Sequence, residues 1–173
     1  MIRASGRAIR AMHRLEADVA TAARTEAEAA LREAQAALAP HPSLAYAGFL
    51  HDAEKEYAES VLTGALIVGD PQPDHEAIAV SLPAWLNGLA EAASELRRHA
   101  LDRLRAGDVA QAEALLGRMD QTYDELMTID HPDAITGGLR RTVDALRAVA
   151  ERALKPHGIR CAAASEGLRI ELF

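Results

Sequence analysis

Asp52, Glu56 and Glu59 stand at i, i+4 and i+7. At about 100° per residue this spacing puts three carboxylates within a sector of about 60° on one helix face. Glu113, Asp120 and Asp124 follow at i, i+7 and i+11 on a later segment, with Gly117 between them. Carboxylates from two helices with no histidine among them are the donor set that Mg²⁺ or Mn²⁺ accepts, leaving positions for water and phosphate oxygens. Antiparallel packing of the two segments would bring Asp124 to Glu56 and Glu59, with Asp52 and Glu125 alongside. The plainer reading is a solvated face, because Leu50, Ala53, Tyr57, Val61 and Val68 form an apolar stripe nearly opposite the acids. Against it, Ser60 to Val68 is apolar almost all round, and an acidic patch that runs into a buried helix needs Arg or a hard cation to compensate it.

Arginine is the second chemical feature. Lys55 and Lys155 are the only lysines among 19 basic residues. Arg3, Arg7, Arg10 and Arg14 fall in one sector of the first helix, Arg97, Arg98, Arg103 and Arg105 form a second group, and Arg140 and Arg141 a third. The last pair follows Gly137-Gly138 where a helix begins, a place suited to phosphate because Arg forks and helix N-terminal amides both donate to its oxygens. For any single Arg, pairing within the chain competes with this, as between Arg98 and Asp102 at i, i+4. With 26 acidic residues and a net charge of −7, any nucleic-acid surface must be a local patch.

Other chemistries find little support. The seven histidines are scattered and no Glu-x-x-His pair occurs, against a ferritin-like di-iron bundle. Glu95 and His99, at i, i+4, read as a structural pair. No serine has a nucleophile-elbow context, and Gly137-Gly138 lacks the preceding strand of a dinucleotide fold. The single Cys161 can close no internal disulfide, which fits a reducing cytoplasm, and no apolar run approaches the roughly 20 residues of a membrane span.

The elements that position these groups are helices. Of 173 residues 38 are Ala and 21 Leu, and only 3% are aromatic, which favours an all-α protein and leaves too few β-branched and aromatic residues to cover a sheet. Periodicity predicts a first helix from Ile2 to Leu38, bent near Glu16 to Thr21, with Ile9, Met12, Leu15 and Val19 and then Leu31 and Leu38 along its seam. Pro40-His41-Pro42 stops it. A helix from Ala47 to Val68 precedes the Gly69 to Pro73 loop, and one from Ser81 to Ala106 carries Pro83 in its first turn. Asp108 and Gln111 form a capping-box pattern at the head of a helix reaching Ile129, His131-Pro132 breaks it, and a last helix covers Leu139 to Leu154. Four or five antiparallel helices make an oligomerising bundle over residues 1–155, followed by a divergent tail over 156–173.

Several strings resemble the translin family, which includes translin and translin-associated factor X, and its prokaryotic and archaeal members in particular. The longest is Tyr123-Asp124-Glu125-Leu126-Met127 followed by Asp130-His131-Pro132-Asp133-Ala134-Ile135-Thr136-Gly137-Gly138-Leu139-Arg140-Arg141 and Asp144. Lys55-Glu56-Tyr57-Ala58-Glu59 is similar to the Glu-Tyr-x-Glu segment of the catalytic, factor-X-like branch. Leu86-Asn87-Gly88-Leu89 with Glu95-Leu96-Arg97-Arg98 resembles its third-helix signature, and Ala8 to Arg14 its first helix. The resemblance spans Ser5 to Arg152. It implies an all-α subunit of a closed homo-oligomeric shell, an octamer, that binds single-stranded RNA or single-stranded DNA and, in the factor-X branch, cuts RNA with Mg²⁺. Carried onto this chain, it assigns the metal to Glu56, Glu59 and Asp124, the residues that helical spacing brings together. A binding module that holds nucleic acid through its arginines without cutting it is the competing expectation. Retention of both glutamates favours the enzyme, since pure binding has no use for a carboxylate patch beside RNA.

Overall fold

The computed structural model describes residues 1–45 and 48–154, which form eight helices and no strand. They are α1 (Ile2–His13), α2 (Ala17–Leu38), α3 (Pro42–Ala45), α4 (Phe49–Val68), α5 (Leu82–Arg105), α6 (Val109–Met127), α7 (Asp133–Thr136) and α8 (Leu139–Leu154). Helix α5 is the axis of the bundle, packed by α4 on one side and by α6 and α8 on others, while α1 and α2 pair with each other and cover α4. The alanine-rich composition finds its use here. Ala58, Ala90, Ala92, Ala93 and Ala100 are completely buried, and their small side chains let helix axes approach closely around Leu62, Leu66, Leu96, Leu115, Met119 and Leu146.

Gly88 marks the tightest crossing. A Cβ there would lie 2.9 Å from the Lys55 carbonyl oxygen, 2.9 Å from Ala58 Cβ and 3.0 Å from the Glu59 amide nitrogen. Only a residue without a side chain allows α5 to press onto the backbone of α4 at this level.

The expected bend near Glu16 is a complete reversal. Helix α1 ends at His13, Leu15 adopts a left-handed φ of 61°, and the Glu16 amide donates to the Ala11 carbonyl at 2.9 Å. The continuous seam expected from Ile9 to Leu38 is therefore interrupted. Ile9 and Leu31 are buried, but Leu15 is 61% and Val19 51% exposed, because the turn points them away from the core. Among the later boundaries, Pro83 lies in the first turn of α5 and Gly69 ends α4 in a left-handed cap, where the Arg118 guanidinium donates to the Leu66 and Ile67 carbonyls at 3.0 Å each. Asp108 caps α6 by accepting from the Gln111 amide at 3.1 Å. The Gln111 side chain does not close the capping box; it reaches the Ile67 carbonyl at 3.4 Å. Buried Asn87 ties α7 and α8 to α5, donating to the Pro83 and Thr136 carbonyls and accepting from the Thr142 hydroxyl at 2.6 Å. Cys161 and the tail expected over residues 156–173 lie outside the described residues.

Candidate metal centre

Helix α4 carries Glu56 and Glu59 one turn apart, and the crossing at Gly88 sets Glu91, one turn further along α5, against them. One oxygen from each of these three carboxylates lies within 4.8 Å of the other two. The Lys55 ammonium donates to Glu91 Oε1 at 2.7 Å, so the group already draws a cation to its edge. All three carboxylates are half-buried. Burial, followed by the charges of Glu91, Glu56 and Glu95, pushes the Glu59 carboxyl up to about 8. Burial also raises Glu56, with Lys55 opposing it. For Lys55, burial works to lower the ammonium, but its bond to Glu91 and the charges of Glu91, Glu56 and Glu59 outweigh it and the net direction is up. Carboxylates this close make one another's ionisation more costly, and a positive partner relieves that cost.

The donor set fits a hard divalent ion. Ligand oxygens about 2.1 Å from Mg²⁺ at octahedral positions are roughly 3 to 4 Å apart, so 4.8 Å leaves only a small side-chain adjustment. With no imidazole or thiolate in the group, nothing in it prefers a softer metal.

Of the expected acidic residues, the structure brings Glu56 and Glu59 together but does not bring Asp124 to them. Asp124 is exposed on α6, where its charge adds to the burial that raises the neighbouring Asp120. The physical reason is the place of α5, which packs against both α4 and α6, while α6 meets α4 at the Leu66 and Ile67 end, through Gln111 and Arg118, away from Glu56 and Glu59. Glu125 is also exposed, accepting from the Gln121 amide at 2.9 Å. Asp52 is exposed one turn before Glu56 and adds to the charge that raises it. Sequence reasoning missed Glu91. The signal available was its position three residues after Gly88, with Glu95 a turn further along the same face. The acid on α4 that sequence spacing gave no role is Glu54, buried and structural, accepting from Gln35 at 2.9 Å and from the Ser81 amide at 3.1 Å.

The arginines divide into paired and unpaired groups. Arg3, Arg7 and Arg10 on α1 and Arg14 just past its end are all exposed. Arg7 pairs with Glu26 and Arg14 with Glu16, whereas Arg3 and Arg10 form no ion pair among the described residues. Arg97 is half-buried with its Nε unbonded, and Arg98 is exposed. The pairing of Arg98 with Asp102 expected from spacing does not form, because Asp102 holds Arg105 at 2.6 Å. Arg140, 3.9 Å from Asp130, and Arg141 are exposed at the start of α8.

An all-α bundle with a carboxylate group at one two-helix crossing defines a structural class, and comparison with solved structures narrows it. The chain is similar to AfC3PO in its complex with duplex RNA (TM-score 0.78, 32% identity, 88% of this chain and 78% of that one). It matches AfC3PO alone at TM-score 0.78 and 32% identity over 87% of this chain and 78% of that one. Apo-NeC3PO shares the fold at TM-score 0.77, with 19% identity over 88% and 80% of the two chains. No protein-family model and no curated protein matches the sequence. The chain belongs to the translin family, as its sequence motifs implied. Among the described residues no helix is long and apolar enough to cross a membrane.

Proposed function

We propose that this protein is a Mg²⁺-dependent endoribonuclease of the translin and factor-X type, cytoplasmic and working as a homo-oligomer, with Glu56, Glu59 and Glu91 as its metal ligands. The observation that carries this reading is the convergence of the three carboxylates at the Gly88 crossing, with Glu59 held far above its ordinary range by burial and like charge. A solvated face would spread such charges apart. When bound, Mg²⁺ or Mn²⁺ would supply an activated water and offset charge developing on a phosphodiester. Glu56, Glu59 and Glu91 would hold the ion, and Lys55 keeps Glu91 oriented through its hydrogen bond. RNA is the substrate class because AfC3PO forms a complex with duplex RNA and because exposed arginines on α1 and at the start of α8 suit phosphate oxygens. Single-stranded RNA is the expected form to be cut, with single-stranded DNA a ligand of the same surface.

The test is incubation of labelled single-stranded and duplex RNA with the protein in Mg²⁺, in Mn²⁺ and in EDTA. Cleavage with either metal and none in EDTA is expected. Tight binding without cleavage under all three conditions would leave a non-catalytic RNA-binding oligomer in its place.

A further inference from the structure

Helix α1 contributes no carboxylate, yet its last residue reaches the edge of the acidic group. His13 Nε2 lies 2.6 Å from Glu95 Oε2, and the imidazole is only 3% exposed. Its Nδ1 is buried without a hydrogen-bond partner, as is Nδ1 of His99, whose ring centre is 6.0 Å away. The bond to Glu95 is therefore the only hydrogen bond of the His13 ring among the described residues. Since a carboxylate can only accept, Nε2 is the donor. Burying an imidazole at a helix end for a single hydrogen bond calls for a reason beyond packing.

Glu95 supplies one. It follows Glu91 by one turn on α5, and its charge is among those that raise Glu59. Its own pKa moves down: the hydrogen bond from His13 outweighs burial, with the charges of His13 and Arg98 adding to it. The bond from His13 thus works on Glu95 in the opposite direction to the burial and like charge that raise Glu59.

We propose that His13 is a positioning residue for the carboxylate site, fixing the Glu95 carboxylate beside Glu59 through its buried hydrogen bond, so that α1 sets the affinity of the site for a divalent cation. This rests on the metal-site reading above. The reversal at Leu15 gains a function by it, since the turn that ends α1 at His13 is what fixes the imidazole over α5. Without its donor, Glu95 would be half-buried among carboxylates with nothing to fix its orientation, and the attraction of the site for an ion would weaken.

The experiment is a titration of the full chain with Mn²⁺, free ion followed by electron paramagnetic resonance, for wild type, His13→Leu, His13→Gln, Glu95→Gln and the His13→Leu/Glu95→Gln double mutant. Outer groups that orient a metal site typically change affinity by 10- to 100-fold, so His13→Leu and Glu95→Gln should each bind Mn²⁺ about tenfold more weakly. The double mutant should be no weaker than either, and His13→Gln, which keeps an N–H near the Nε2 position, should recover most of the loss. Should His13→Leu fail to fold, His13→Asn replaces it, its amide falling short of Glu95. Wild-type affinity in the donor-less variant, or losses that multiply in the double mutant, would overturn the role of His13 while leaving the metal site standing. No saturable Mn²⁺ uptake by wild type would instead overturn the metal site, and this role with it.

Discussion

Helices α4 and α6 of this bundle both carry carboxylates at regular helical spacing, and only the row on α4 meets a third carboxylate from a neighbouring helix. On α6, Glu113 and Asp124 are exposed with Asp120 half-buried between them, and Gly117 has open space where a side chain would be. On α4, Glu56 and Glu59 are half-buried and meet a third carboxylate from α5. The difference comes from what lies across from each row. Water faces most of the α6 row, so its charges are screened and separate. Backbone faces the α4 row at the distance Gly88 permits, so its charges are compressed and must be compensated.

Charge removal should break the comparison most sharply. Glu59→Gln or Glu91→Gln should lower single-turnover RNA cleavage on the order of a thousandfold with RNA binding retained, and a second substitution in the group should add little. Asp124→Asn should cleave within about twofold of wild type. Equal losses at Asp124 and Glu91 would remove the distinction between the two rows.

Stability against pH reads the same compression without any RNA. Glu59 titrates near 4.5 when the chain is unfolded and at about 8 when folded. Its contribution is therefore fully present below about pH 4.5 and is lost as pH rises through 8, on the order of a few kcal/mol. Urea unfolding in EDTA, compared between wild type and Glu59→Gln from pH 5 to 9, should show a steeper downward slope in wild type than in the variant, in which the raised Glu56 remains. Added Mn²⁺ should restore the alkaline stability. Asp124→Asn should leave the slope as it is.

The two glycines give a smaller contrast of opposite sign. Gly88→Ala forces a methyl against the backbone of α4 and should destabilise by about 1–3 kcal/mol, with weaker Mn²⁺ uptake as the carboxylates part. Gly117→Ala, with nothing in its way, should stabilise α6 by roughly 0.5–1 kcal/mol. Thermal unfolding distinguishes them. The smallest expected effect concerns the arginines of α1. Charge reversal of Arg3 and Arg10 should weaken RNA binding at every sequence and make it less sensitive to salt, by about one unit of slope for each phosphate left without its arginine. The same change at Arg7 and Arg14, already engaged by Glu26 and Glu16, should do less.

Most of the secondary structure was legible in the sequence because its signals are local. Pro83 in a first turn, Asp108 as a cap and glycine at the left-handed end of α4 act within a few residues of themselves, and alanine and leucine favour helix wherever they stand. That Glu56 and Glu59 share a face was equally local, being a property of one helix. Two things depended on tertiary structure. The reversal at Leu15 places a non-glycine residue at positive φ, with no local mark, and is sustained by α1 packing back on α2 and α4. The third carboxylate is Glu91 rather than Asp124 because α5, crossing at Gly88, is the helix that packs on α4 at the level of Glu56 and Glu59. Helical periodicity tells which side chains share a face; which face meets which is decided by close packing around buried alanines and Gly88, where a difference of one methyl group settles the neighbour.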